Sequence, residues 1–147
     1  MSDLDASARL AQRDPGQPAP AEPVSTILAV HDDPRIHTLL YDLLGDPRGR
    51  VVEVADIGTG VVLAQTLRPD CLLLDAGLGG VHRDVLLDQL RRDPRTRPMP
   101  VIVLGAEAST PESIEQALIA GAADYISPPA SSAIVAARVR GTLGRAH

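Results

Sequence analysis

Lysine is absent from this chain of 147 residues, and all 14 of its basic residues are arginine. Chemistry that requires a side-chain amine, such as Schiff-base formation, is therefore excluded. Phenylalanine and tryptophan are also absent, so Tyr41 and Tyr125 supply the only aromatic side chains apart from histidine. The core must consequently be aliphatic. The chain also lacks the row of aromatic rings on which single-stranded nucleic acid stacks.

Cysteine is nearly absent as well, since Cys71 is the only one. A single cysteine excludes an intramolecular disulfide and is typical of a reducing compartment. No apolar run reaches the length of a membrane span, and residues 1–5 lack the basic and apolar regions of a secretory signal. We therefore expect a cytoplasmic protein that does not contact a membrane. The net charge of −5 argues against direct binding of nucleic acid.

Proline, alanine and polar residues dominate the first 24 residues, which contain too little periodic apolar sequence to pack. The sequence therefore predicts a flexible N-terminal tail over residues 1–24 and a folded domain over residues 25–144. Residues 145–147 form a short C-terminal end. Apolar residues make up 44% of the chain, which is sufficient for the core of one domain.

Five short apolar segments alternate with five helical patterns across the predicted domain. Each apolar segment is largely continuous rather than alternating, as is typical of strands buried on both faces of a parallel sheet. The predicted strands cover residues 26–30, 51–55, 71–75, 101–104 and 123–126, and the predicted helices cover residues 34–44, 59–67, 83–92, 111–120 and 132–143. This alternation predicts an α/β fold, a flavodoxin-like (βα)5 doubly wound parallel sheet with strand order 2-1-3-4-5. The helical patterns place the following residues on the core side: Val62, Leu63, Leu67, Val85, Leu86, Leu90, Ile114, Ala117, Leu118, Ile134, Val135, Val139 and Leu143.

Asp75 ends the third predicted strand and is followed by a glycine-rich loop. Ligands and chemistry in open α/β sheets gather where the strands end. A carboxylate in this position is either a site residue or a cap of its loop. His31 and Asp32 follow the first predicted strand, and Asp33 before Pro34 is the predicted cap of the first helix.

Four segments, in this order, resemble the receiver domain of two-component response regulators. They are ILAVHDDP at residues 27–34, RPDCLLLD at residues 68–75, DPRTRPMPVIVL at residues 93–104 and AGAADYI at residues 120–126. The resemblance covers about residues 25–144. It implies that Asp75 accepts a phosphoryl group from a histidine kinase, and that Asp32, Asp75 and Gly77 would hold Mg²⁺, the one cofactor implied.

The resemblance also implies a switch aromatic and a contact surface. Tyr125 stands at the switch position. The contact surface would consist of the fourth predicted helix, the fifth strand and the fifth helix, which such receivers use for dimers and for output domains. The residues expected there are Ile114, Ala117, Tyr125, Val135 and Arg138.

Three positions depart from the receiver pattern. His31 replaces the first acid of a pair, Gly105 replaces a hydroxyl residue, and Pro128 replaces a lysine. Imidazole suits Mg²⁺ poorly, and an aspartyl phosphate without the lysine lacks its counter-charge. We therefore predict an atypical, degenerate receiver that is not an enzyme and acts mainly through phosphorylation-independent protein contacts. The expected partners are a histidine kinase or an output domain, together with a second copy in a homodimer.

Two other functions remain open at this point. The chain could be a conventional phosphoacceptor that is modified on Asp75 despite the incomplete site. Alternatively, it could be a regulatory domain that binds a small molecule in the altered pocket formed by His31, Asp32, Asp75, Gly105 and Pro128. A softer metal held by His31 and His82 with these carboxylates is a further alternative.

Overall fold

The computed structural model describes residues 24–78, 82–105 and 109–146. Five strands form one parallel sheet: β1 (Ser25–Val30), β2 (Gly49–Val54), β3 (Cys71–Asp75), β4 (Val101–Leu104) and β5 (Asp124–Ile126). Their spatial order is β2-β1-β3-β4-β5, which confirms the predicted flavodoxin-like topology. The predicted flexible tail lies outside the described residues, apart from Val24 at its end.

The described residues contain six helices: α1 (Pro34–Leu39), α2 (Tyr41–Leu44), α3 (Ile57–Leu67), α4 (His82–Arg92), α5 (Pro111–Ile119) and α6 (Ser132–Ala146). The single helix predicted over residues 34–44 is divided at Leu40, whose φ of −89° and ψ of 1° leave the helical region. Helix α6 continues to Ala146, two residues past the predicted domain boundary. None of the described helices is long and apolar enough to cross a membrane.

The central strand β3 is buried on both faces of the sheet. Leu72 and Leu74 pack on one face with residues of α3 and α4, whereas Cys71 and Leu73 pack on the other with residues of α1 and α6. Because successive side chains of a strand point to opposite faces, a continuous apolar run fills both cores at once. The run stops at Asp75, which is only partly buried at the edge of the sheet.

Four apolar helix residues that were predicted to face the core are exposed instead: Val62, Val85, Leu118 and Ile134. The prediction is confirmed for five other residues of these helices, which are buried: Leu86, Leu90, Ala117, Val135 and Val139. In α3 the prediction missed Val61 and Ala64, which are buried in the core on that face of the sheet. The prediction was therefore wrong at single positions of the helix stripes, while most of the core side of α4, α5 and α6 was correct.

Candidate functional site

The candidate site lies where β1, β3 and β4 end at the same edge of the sheet. Val30 is paired with Leu74, so the residues that follow β1 lie beside Asp75. Asp75 itself is paired with Leu104, which places Gly105 next to the loop that follows Asp75. The parallel register thus brings together the acidic, glycine and histidine positions that the sequence singled out.

Asp75 is partly buried, and its Oδ1 accepts a hydrogen bond from the backbone N–H of Gly77 at 2.8 Å. Burial raises the pKa of this carboxyl, and the negative charges of Asp33 and Asp32 raise it further, against the opposing effects of Gly77 and His31. Together with the strand register, these effects indicate that Asp75 shares a small acidic site with the residues after β1. A bound cation or a proton would relieve the repulsion between these carboxylates.

Asp33 is the predicted helix cap, and its side chain is occupied by that role. Its Oδ1 accepts the backbone N–H of Arg35 at 2.9 Å, and the Arg35 guanidinium lies 2.9 Å from its Oδ2. The hydrogen bonds from Arg35 lower the pKa of Asp33. Asp32 is exposed to solvent. Of the two acids after β1, Asp32 is therefore the one whose carboxylate is solvent-exposed near Asp75.

His31 is buried and contacts Glu53 rather than Asp75. Its Nε2 lies 2.8 Å from Oε1 of Glu53, and its Nδ1 accepts the backbone N–H of Asp33 at 3.2 Å. His37 approaches the same carboxylate, with its Nδ1 2.8 Å from Oε1 and 2.9 Å from Oε2. Because both ring nitrogens of His31 have partners, this arrangement leaves neither of them to bind a metal.

Glu53 is a residue that the sequence analysis missed. Burial acts to raise its pKa, but the hydrogen bonds from His37 and His31 outweigh that effect, and the net pKa is lowered. The sequence contains one signal that could have identified Glu53: it is the only acid in β2, and its neighbours on both sides are valines. A lone carboxylate in an apolar strand indicates a specific partner, although sequence spacing does not identify which histidine provides it.

Gly105 lies beside Tyr125 and Ser109. Tyr125 is 9% exposed, and its hydroxyl lies 2.9 Å from the hydroxyl of Ser109. The sequence analysis assigned Tyr125 a role but did not single out Ser109, which is four residues beyond the glycine. Pro128, at the third altered position, is partly buried and joined to Pro129 by a cis peptide bond.

The predicted contact surface is only partly exposed. Ala117 and Val135 are fully buried and Tyr125 is nearly so, which corrects their placement among residues that touch a partner. Ile114 is partly buried, and Arg138 is exposed and lies 2.9 Å from Asp124. These three side chains belong to the core instead, Ala117 and Tyr125 to one buried cluster and Val135 to another. The outward side of α5 instead carries a groove of about 560 Å³ lined by Pro111, Ile114, Glu115, Leu118 and Ile119.

The donor set for Mg²⁺ is small. Within the described ranges, no group of three or more His, Cys, Asp or Glu side chains is arranged to hold a metal ion. Asp32, Asp75 and the backbone of Gly77 could supply oxygen ligands, and Mg²⁺ often binds through one or two carboxylates and several waters. His31 supplies no further metal ligand, because both of its ring nitrogens have partners. The side chain of His82 lies outside the described part of the structure. The described donors therefore form at most an open two-carboxylate site.

Comparison with known families agrees with this geometry. The family model of the response regulator receiver domain matches residues 27–140. That match spans most of the chain, from β1 into α6. The chain therefore belongs to the response regulator receiver family, and it is a signalling module of two-component systems.

Its relatives include full-length regulators. RpaA of Synechocystis sp., a DNA-binding dual master transcriptional regulator, is 36% identical over 119 residues, which cover 81% of this chain and 49% of RpaA. KdpE of Escherichia coli K12, the KDP operon transcriptional regulatory protein, is 34% identical over 122 residues, which cover 83% of this chain and 52% of KdpE. The chain thus spans about half the length of the curated relatives it matches.

A solved structure adds a comparison at the site. The receiver domain of the sensor histidine kinase PA1611 from Pseudomonas aeruginosa PAO1 is 27% identical to this chain. The TM-score is 0.70, and the alignment covers 82% of this chain and 98% of that domain. That structure holds a magnesium ion coordinated in its active-site cleft.

Proposed function

We propose that this receiver domain signals through protein contacts whose strength does not depend on phosphorylation of Asp75. The observation that carries the proposal is the missing positive charge, since the chain has no lysine and Pro128 stands at the lysine position. A phosphoryl group on Asp75 would add negative charge beside Asp32 and Asp33, which already raise the pKa of Asp75. In this proposal the domain is a signalling module rather than an enzyme.

The altered positions around Asp75 support this proposal. His31 is held by Glu53 and by the backbone of Asp33, so it does not replace the lost acid in this arrangement. Gly105 carries no hydroxyl that could move onto a phosphate. A phosphorylation switch requires groups that bind the phosphorylated and unphosphorylated states differently, and three such groups are altered here.

The proposed partners are proteins. We place a histidine kinase or an output domain, and a second copy of this chain, on the outward side of α5. The apolar groove there and the exposed Leu118 and Ile119 support that location, because exposed apolar patches mark protein contacts. The proposal includes no direct contact with nucleic acid or a membrane, and it places the domain in the cytoplasm.

A spectroscopic titration tests phosphorylation independence. Amide NMR spectra of the wild type and of Asp75→Ala would be recorded with and without beryllofluoride and Mg²⁺, because beryllofluoride on a carboxylate mimics a phosphoryl group. We expect no change beyond the residues that border Asp75. Shifts that reach α5 in the wild type but not in Asp75→Ala would refute the proposal.

A conventional phosphoacceptor is the second candidate, and the open pair of Asp75 and Asp32 favours it. An Asp75 oxygen would attack the phosphorus of acetyl phosphate, form the new P–O bond and release acetate. The test is mass spectrometry after incubation with acetyl phosphate and Mg²⁺. A phosphoryl mass gain in the wild type that is absent in Asp75→Ala would support this candidate, and an unchanged mass would eliminate it under those conditions.

A further inference from the structure

Gly105 borders a space that is already filled by other side chains. A Cβ atom added at Gly105 would stand 2.5 Å from Cε1 of Tyr125, 2.7 Å from its hydroxyl oxygen and 2.6 Å from Oγ of Ser109. Real Cβ atoms essentially never approach other heavy atoms within 3.0 Å. The observed position of Tyr125 is therefore available only while residue 105 has no side chain.

The ring of Tyr125 connects the site to α5. It packs in a buried cluster with Val103, Ala117 and Ala122, and Ala76 and Ile114 pack against that cluster. Ala76 directly follows Asp75, whereas Ile114 and Ala117 belong to α5. The ring thus lies between the loop of the acidic site and the helix that carries the apolar groove.

We propose that Gly105 and Ser109 form a niche that holds the Tyr125 ring inward whether or not Asp75 is modified. The niche thereby keeps the outward side of α5 in one conformation. The niche consists of the space at Gly105 and the hydroxyl of Ser109, which meets the hydroxyl of Tyr125. This inference deepens the proposed function and rests on it for its meaning in signalling. Gly105 and Ser109 are positioning residues, because they act through Tyr125.

The niche predicts how the chain responds to a side chain at residue 105. The atoms that a new Cβ would meet are the end of one ring and the end of one short side chain, rather than backbone. Rotation of the Tyr125 ring towards solvent would remove two of these three contacts. Gly105→Ala should therefore expose Tyr125, and Gly105→Thr should do so more completely.

Fluorine NMR measures this movement directly. The chain has two tyrosines, so labelling with 3-fluorotyrosine gives two signals, and Tyr41, which is 73% exposed, is an internal reference. In the wild type, a soluble gadolinium chelate should broaden the Tyr41 signal and spare Tyr125. Beryllofluoride with Mg²⁺ should leave the Tyr125 signal protected. A Tyr125 signal that the chelate broadens in the wild type would overturn the proposal.

The matched control is Gly141→Ala, because a Cβ at Gly141 meets nothing within 4 Å. In Gly105→Ala, the chelate should broaden the Tyr125 signal as strongly as the Tyr41 signal. In Gly141→Ala, the Tyr125 signal should stay protected. A folded Gly105→Ala protein in which Tyr125 stays protected would contradict the niche. This comparison of variants uses no phosphoryl mimic. The niche hypothesis can therefore be refuted while phosphorylation independence is supported, and phosphorylation independence can be refuted while the niche is supported.

A double-mutant cycle keeps the inference testable if Gly105→Ala folds poorly. Urea unfolding would compare Gly105→Ala in the wild type and in Tyr125→Ala. Removal of the ring removes two of the three close contacts, so the loss of stability caused by Gly105→Ala should fall sharply in the Tyr125→Ala background. An equal loss in both backgrounds would show that the ring does not fill the niche.

Discussion

Glu53 shows how much a single residue that the sequence analysis missed can determine at this site. It accepts hydrogen bonds from the buried His31 and from the more exposed His37. His31 in turn accepts the backbone N–H of Asp33, the residue that caps α1. Glu53 and the backbone of Asp33 thus hold the imidazole of His31 from both ring nitrogens.

Glu53→Ala should destabilise the fold, because the buried Nε2 of His31 would lose its partner. The expected loss is about 1–3 kcal/mol in the free energy of unfolding, the usual cost of an unsatisfied buried polar group. Glu53→Gln keeps an acceptor oxygen and should lose less. Urea unfolding measures both variants, and equal losses would show that the hydrogen bond to His31 contributes nothing.

Asp93 provides a prediction for pH dependence. Hydrogen bonds from the Arg95 side chain and backbone lower the pKa of Asp93 from 3.8 to about 2. A carboxyl whose pKa is lowered on folding adds stability that is present above the unfolded pKa and lost as the pH falls through the folded one. Asp93→Asn should therefore be less stable than the wild type at pH 6.

The difference between Asp93→Asn and the wild type should shrink as the pH falls from 3.8 towards 2. Thermal unfolding at several pH values measures this trend. Asp88→Asn is the control, because it removes a carboxylate that pairs with Arg92 on the exposed surface of α4, where ion pairs contribute little stability. A difference for Asp93→Asn that stays constant with pH would contradict the prediction.

At the scale of elements, the strands were predictable, and the helix faces were predictable except at single positions. Cys71–Asp75 is continuous, short and flanked by helix-breaking residues, so only a doubly buried strand suits it. The face that a helix turns to the sheet depends on which small residues permit close approach. In α3, Val61 and Ala64 are buried and Val62 is not, and side-chain size alone does not predict this difference.

The arrangement of the candidate site was also predictable only in part. Asp32, Asp75 and Gly105 were predictable, because strand ends place them together. The contacts of His31 with Glu53 and of Tyr125 with Ser109 join residues 22 and 16 positions apart in different elements. Such contacts depend on the twist and packing of the finished sheet, which spacing along the chain does not encode.

Helix α6 gives a prediction at the element scale. Gly141 lies within this helix, where the absence of a side chain costs backbone entropy, and its surroundings are open. Gly141→Ala should raise the free energy of unfolding by about 0.5–1 kcal/mol. Urea unfolding with an unchanged m-value would support this, whereas a loss of stability would show that the glycine has a packing role.

At the scale of the whole molecule, the outward side of α5 determines assembly in the proposed function. Ile119 is 77% exposed at the end of this helix and lines the apolar groove. Ile119→Asp should weaken self-association at least tenfold, because it would place a charge in an apolar contact. Sedimentation velocity over a range of protein concentrations measures the change in Kd.

Val62→Asp is the matched control for assembly, because Val62 is also an exposed apolar residue but lies on α3. It should leave self-association unchanged. Equal weakening by both substitutions would place the contact elsewhere or show a general loss of folding. A wild type that stays monomeric at every concentration would refute the homodimer.

The all-parallel sheet also has a consequence for how fast this chain folds. The backbone N–H of Thr26, in β1, donates to the carboxylate of Asp70, immediately before β3, across a separation of 44 residues. All four pairings between the described strands are parallel, so each must close a long loop before its contacts offset the lost chain entropy. The central pair of β1 and β3 closes the longest of these loops. Substitutions that weaken this pair should therefore slow folding more than they speed unfolding.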